Sequence, residues 1–285
     1  MQQTFLSKLH ANGVSYLIGS LLLLLGVPLY QVAILNPQGY SSALAATGND
    51  HSTIYLTWIS QHTVSFLLYR LLLIVAFACL WSLPFTLFRI IIAQEILGRE
   101  DEEDEENEED EGEEEDEEEQ TDESVDSTGM PAEAWRGKGF AVLAAWTGLI
   151  GIVLFALATL ASTIYLAIVS SGFASASATL PNGFTTLSGL FTILTYTVGG
   201  GLLGLSCLFF GVVIARAGLR LWPGLWVAFG YAALFLTAFL ISSAIGVATV
   251  SNESQSIFTT PAILLFALWT FWFGLMLVRL KPEPS

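Results

Sequence analysis

Apart from Arg279, next to the last position of the sixth, Arg70 is the one charged residue inside the six long apolar stretches of this chain, and a guanidinium placed there is costly unless it meets water, an anion or a carboxylate. Two kinds of chemistry follow from its position. It lies six residues past Val64, where its apolar run begins, which is roughly 9 Å of helical rise. The side chain can therefore snorkel to the nearer membrane surface beside Tyr69 and Trp58. In the alternative, Arg70 faces the helix bundle and holds an anion, or pairs with Asp50 or Glu253, the two acids on that side. Its depth favours snorkelling.

Other reactive groups are sparse. His10, His51 and His62 fall outside the apolar runs, none has a second His or Cys at ligand spacing, and all three are expected to be solvated. Cys79 and Cys207 lie within two different runs, where a thiol packs as a small apolar side chain. No metal site, no cofactor and no disulfide is expected. A serine hydrolase would need a nucleophile with a His base, and no His stands at membrane depth. The His-Glu-x-x-His helix of a zinc peptidase is missing, and no Lys-Ser or Lys-Thr follows the glycines near position 200 to make a phosphate loop. Paired His ligands for a haem are missing too. The chain therefore reads as non-catalytic.

Carboxylates are concentrated in one place. Residues 100–126 carry 21 Asp and Glu in 27 positions, so the formal net charge of −16 hides a remainder in which ten Lys and Arg outnumber five acids. Such a run has nothing to bury and repels itself, which predicts a solvated, disordered linker over 99–138. It would also repel phosphate, so nucleic acid is excluded as a partner. Bulk solvation is its simplest role. A docking segment for a basic protein partner, or loose collection of divalent cations, are the functional alternatives. With Arg favoured over Lys by seven to three, the segment resembles the composition of halophile proteins.

The elements that position these groups follow from hydropathy. A chain with 53% hydrophobic residues, 13% charge and a mean hydropathy of +0.63 is a membrane protein rather than a soluble domain. Six runs reach the 20 or so residues needed to cross the hydrocarbon core: 14–35, 64–88, 140–169, 189–215, 224–248 and 262–280. Each must be helical, since lipid offers the backbone no partner. The first run, of 22 residues, exceeds a signal-peptide core and is expected to be retained. This predicts an all-α, polytopic six-helix bundle in the lipid bilayer. Its three hairpins group as a first hairpin over 1–98, the linker 99–138, and a four-helix part over 139–285.

Cations set the orientation. Lys8, Arg89, Arg99, Arg136, Lys138, Arg216, Arg220, Arg279 and Lys281 flank the runs on one side, while 36–63, 170–188 and 249–261 contain no Lys or Arg. Both termini and the acidic linker are expected to be cytoplasmic, with the protein in the cell membrane. Close helix approach in lipid depends on small residues. Gly199, Gly200, Gly201, Gly204 and Gly211 in the fourth run are therefore candidates for packing, or for a hinge. Pro28 and Pro84 should kink the first two runs, and Pro261 should start the sixth helix. No intramembrane acid is available for ion coupling. Function reads best as a non-catalytic scaffold or accessory subunit; the alternative is a small permease for an uncharged or weakly polar solute.

Overall fold

The computed structural model describes residues 2–46, 51–94, 133–174, 179–249 and 255–280, the side chains of 2–6, 133–138, 174 and 255–258 not being among those described. The helices are α1 (Ser7–Gln38), α2 (Tyr40–Ala45), α3 (His51–Gln61), α4 (Thr63–Gln94), α5 (Glu133–Ser171), α6 (Phe184–Leu221), α7 (Gly224–Thr249) and α8 (Gln255–Arg279). All but α2 and α3 are long and apolar enough to cross a membrane, and the described residues contain no strand. The spanning helices are apolar on every side. Their outer faces leave Leu29, Val64 and Phe235 about two-thirds exposed, a surface that would aggregate in water and suits hydrocarbon. The protein is thus a polytopic membrane protein.

The six spans form a closed ring in chain order. Each packs on its sequence neighbours, and α8 returns to α1. The most extensive contacts run between α5 and α6 and between α6 and α7, with α1 and α8 next, so contacts between the expected hairpins rival those within them. Glycine makes these seams close. A methyl group added at Gly13 would lie 2.9 Å from Leu277 Cβ, and one at Gly274 would lie 3.0 Å from the Gly13 carbonyl. On the other seam, a methyl at Gly211 would lie 2.9 Å from the Gly230 carbonyl.

Aromatic rings fill the axis. Tyr196, Phe155, Phe77, Phe266, Trp269, Phe229, Phe273 and Tyr16 follow one another with centroids 4.0 to 6.3 Å apart. They come from all six spans, and every one but Tyr196 is buried. A void of about 20 Å³ remains beside Gly200, Phe77 and Phe266. That is room for about one water.

Proline interrupts two spans, and the chain absorbs each interruption locally. In α1, π-helical turns at Leu22–Gly26 and Gln31–Leu35 flank the short α-helical stretch that contains Pro28, the kind of widening that accommodates a missing N–H. In α4 the helix breaks at Leu80, Trp81 and Ser82 just before Pro84. Pro84 cannot donate to the Leu80 carbonyl, and the Leu83 N–H takes it at 3.0 Å. The Cys79 carbonyl is then left over, and Ser15 Oγ donates to it at 2.9 Å. Tyr16, stacked on Phe273, places its hydroxyl 2.9 Å from Ser82 Oγ and 2.7 Å from Thr86 Oγ1, with Asn12 donating to the same Thr86 oxygen.

Several expectations need correction. Residues 36–46 and 51–62 form a capping layer in which Tyr40, Leu56, Trp58 and Ile59 are buried against Phe66, Leu166, Phe173 and Phe184. Gly39, at φ 86°, makes the left-handed turn that lets α2 fold back from α1. Pro261 lies inside α8, because the helix begins at Gln255 rather than at the proline. α5 begins at Glu133, so the last six residues of the expected linker are already helical. The rest of that linker, with the carboxylate run, falls within 95–132, outside the described residues.

Candidate functional site

α4 decides where Arg70 points. Its exposed stripe is Val64, Leu67, Leu68, Leu71 and Val75, and its inward stripe is Phe66, Leu73, Ala76 and Phe77. Arg70 follows Phe66 by one helical turn, so it shares the inward face. Trp58, its expected companion at the membrane surface, is buried. Arg70 is half-buried as a residue, with its Nε fully enclosed and without a hydrogen-bond partner among the described residues. Its Cζ sits 5.4 Å from the centroid of Phe66, within cation–π range.

Four tyrosines surround the guanidinium closely enough to interact with it electrostatically: Tyr40, Tyr55, Tyr69 and Tyr196. They arrive on four elements. Tyr40 comes from α2, held by the Gly39 turn and packed at centroid distances of 4.9 Å on Trp58, 6.4 Å on Tyr55 and 6.0 Å on Tyr69. Trp58 is itself fixed by an Nε1–H bond of 2.7 Å to the Gln38 carbonyl and by stacking on His62. Tyr55 comes from α3 and Tyr69 from α4. Tyr196 stands in the π-helical turn Ile193–Gly199 of α6, where the wider winding changes the direction in which side chains leave the helix.

The chemistry of this cluster is that of donors. A guanidinium offers N–H groups and accepts nothing, and each phenol can donate one proton. Burial pushes the Tyr40 phenol well above its ordinary value of 10.0, with Tyr55 and Tyr69 adding to the rise and Arg70 opposing it. Tyr40 is therefore a neutral O–H at physiological pH. Asp50 and Glu253, the carboxylates expected as alternative partners, lie outside the described residues.

Of the candidate glycines, Gly204 and Gly211 sit where a methyl group would press on Ile241 and on Gly230 and Leu234 respectively, while at Gly199 it would come 3.3 Å from the Leu194 carbonyl and into ordinary contact with Gly151 and Phe155. Gly201 makes ordinary contact with Ala244. Gly200 faces open space and borders the axial void together with Tyr196. Pro28 and Pro84 belong to the kinks of α1 and α4.

The histidines, each partly exposed, are also hydrogen-bonded within the chain. His10 Nε2 meets the Leu280 carbonyl at 2.9 Å, His51 Nδ1 meets the Ala46 carbonyl at 2.6 Å, and His62 Nδ1 meets the Trp58 carbonyl at 3.2 Å. Each of these nitrogens must carry the proton, because a carbonyl only accepts. Cys79 and Cys207 are free thiols, and the described residues contain no cluster of metal-ligating side chains. Sequence reasoning located Arg70 and Tyr69 but missed Tyr40, Tyr55 and Tyr196. A signal was available in the aromatic and aliphatic residues of 54–59, which are too apolar for a solvated loop. No match is found among protein families, curated proteins or solved structures.

Proposed function

We propose that the protein is a non-catalytic membrane scaffold or accessory subunit in the cell membrane, with both termini and the acidic segment in the cytoplasm. The filled axis carries this reading. A solute path needs polar groups and space along the bundle, and here eight aromatic rings occupy that line. The basic flanks at the end that carries both termini support the orientation, and the acidic segment supplies a contact of opposite charge for a basic soluble partner. Purification from mild detergent with and without residues 100–126 tests it. A basic partner should be retained by the full chain and lost by the deletion.

A small permease is the second reading, and one observation favours it. The π-helical turn Ile193–Gly199 runs directly into Gly200 beside the axial void, which is where a helix could swing without a clash. Proteoliposomes that leak small neutral solutes, with a rate changed by Gly200→Leu and no partner retained in detergent, would establish it over the scaffold.

A further inference from the structure

We propose that Arg70 and the hydroxyls of Tyr40, Tyr55, Tyr69 and Tyr196 form a binding site for one anionic group, a phosphate or a carboxylate, beneath the cap of α2 and α3. The inference holds for a scaffold and for a permease alike. Among the described residues the buried side-chain atoms without a hydrogen-bond partner are Asn36 Oδ1, Gln38 Oε1, Thr159 Oγ1 and Arg70 Nε, and of these Arg70 alone belongs to a charged group, whereas other polar groups of the bundle are paired. Ser206 donates to the Ala144 carbonyl, Thr237 to the Ala233 carbonyl and Ser20 to the Tyr16 carbonyl. Among the described residues, Arg70 alone brings a permanent positive charge inward, and its Nε is sealed off without an acceptor among them.

An enclosed guanidinium N–H without an acceptor is costly to leave unpaired. Tyrosine hydroxyls do not remove the need. Each can accept a bond from the guanidinium, but its own proton then needs an acceptor, so the set as a whole has a surplus of donors. A small anion with two or more oxygens meets this surplus. Two oxygens match the planar fork of arginine, and remaining lone pairs take phenol O–H groups. The aromatic walls, Phe66 beneath the guanidinium and Tyr40 against Trp58, hold the local dielectric low and strengthen each of these bonds.

The anion can come from an acidic lipid headgroup or from free solute, and the two are separable. The full-length protein is reconstituted in nanodiscs of phosphatidylcholine. Its melting is followed by tryptophan fluorescence and its retained ligands by native mass spectrometry. Phosphatidylglycerol is added to the bilayer in one arm, and inorganic phosphate or acetate to the buffer in the other. One anion should bind per chain and raise the melting temperature. Response to the lipid alone identifies a headgroup site, and response to phosphate or acetate identifies a solute site. Arg70→Gln should weaken binding by at least about tenfold, the scale of a lost charged hydrogen bond. Should Arg70→Gln fail to fold, Tyr55→Phe decides. It removes one hydroxyl from α3 and should weaken binding several-fold while leaving the anion-free melting temperature unchanged. Absence of binding by every anion overturns the proposal, as does binding by Tyr55→Phe equal to that of the wild type. So does a loss of anion-free stability in Asp50→Asn or Glu253→Gln as large as that in Arg70→Gln, since Arg70 would then have its counter-charge within the chain.

Discussion

Tyr16 shows how one side chain can serve two parts of the structure. Its ring stacks on Phe273 of α8, while its hydroxyl reaches Ser82 and Thr86 at the break in α4. Tyr16→Phe keeps the ring and strips the hydroxyl from a buried network. It should lower stability by about 1 kcal/mol, read as a lower melting temperature in detergent with the oligomeric state unchanged. Tyr40 gives a pH dependence. Its folded value is raised above 10.0, chiefly by burial, so the folded protein holds this proton more tightly than the unfolded chain. The stability it contributes is intact below pH 10.0 and is lost as pH rises through the folded value. The melting temperature of the wild type should fall relative to that of Tyr40→Phe as pH is raised from 8 to about 12, and an unchanged difference would contradict the burial of this phenol. Sequence placed Arg70 within an apolar run and gave its depth, but not its face. Face depends on helical phase relative to neighbouring helices, and α4 is apolar on both its stripes, so periodicity could not distinguish inward from outward.

At the scale of elements, glycine spacing identified α6 as a packing helix but could not rank its positions. The structure separates them by what a methyl group would meet. At Gly211 it would press on the Gly230 backbone carbonyl, which cannot move aside, and at Gly200 it would meet nothing within 4 Å. Gly211→Ala should cost about 1 to 3 kcal/mol by overpacking the α6–α7 seam. Gly200→Ala should be neutral or stabilise by up to about 1 kcal/mol through helix propensity. Urea or thermal unfolding of the two variants side by side checks the ordering, and equal losses would contradict the packing described. Pro28 and Pro84 were legible as interruptions because proline acts through its own covalent structure. The cap helices α2 and α3 were not, since their residues bury themselves against Leu166, Phe173 and Phe184, contacts that come from more than a hundred positions further along the chain.

For the whole molecule, hydropathy was enough to count the spans, because a helix in lipid must satisfy its own backbone whatever it packs against. Ring order was not legible, since apolar helices carry little information about which neighbour each prefers. Orientation rests on the cations, and it can be checked directly. With Cys79 and Cys207 replaced by Ser, Ser42→Cys on the exposed side of α2 should react in intact cells with a maleimide that cannot cross membranes. A cysteine appended after Ser285 should react only after lysis. The reverse pattern would invert the topology.

Ring closure also constrains how such a chain is made. Of the six spans, α1 leaves the ribosome before the others and has its glycine seam against α8, Gly13 against Gly274, so synthesis separates the two halves of this contact by the four spans between them. Until α8 is inserted, α1 stands in the bilayer with its small-residue face open to lipid or to other nascent helices. A chain that stops short of α8 should therefore be handled by membrane quality control as an orphan, even though five of its spans are complete.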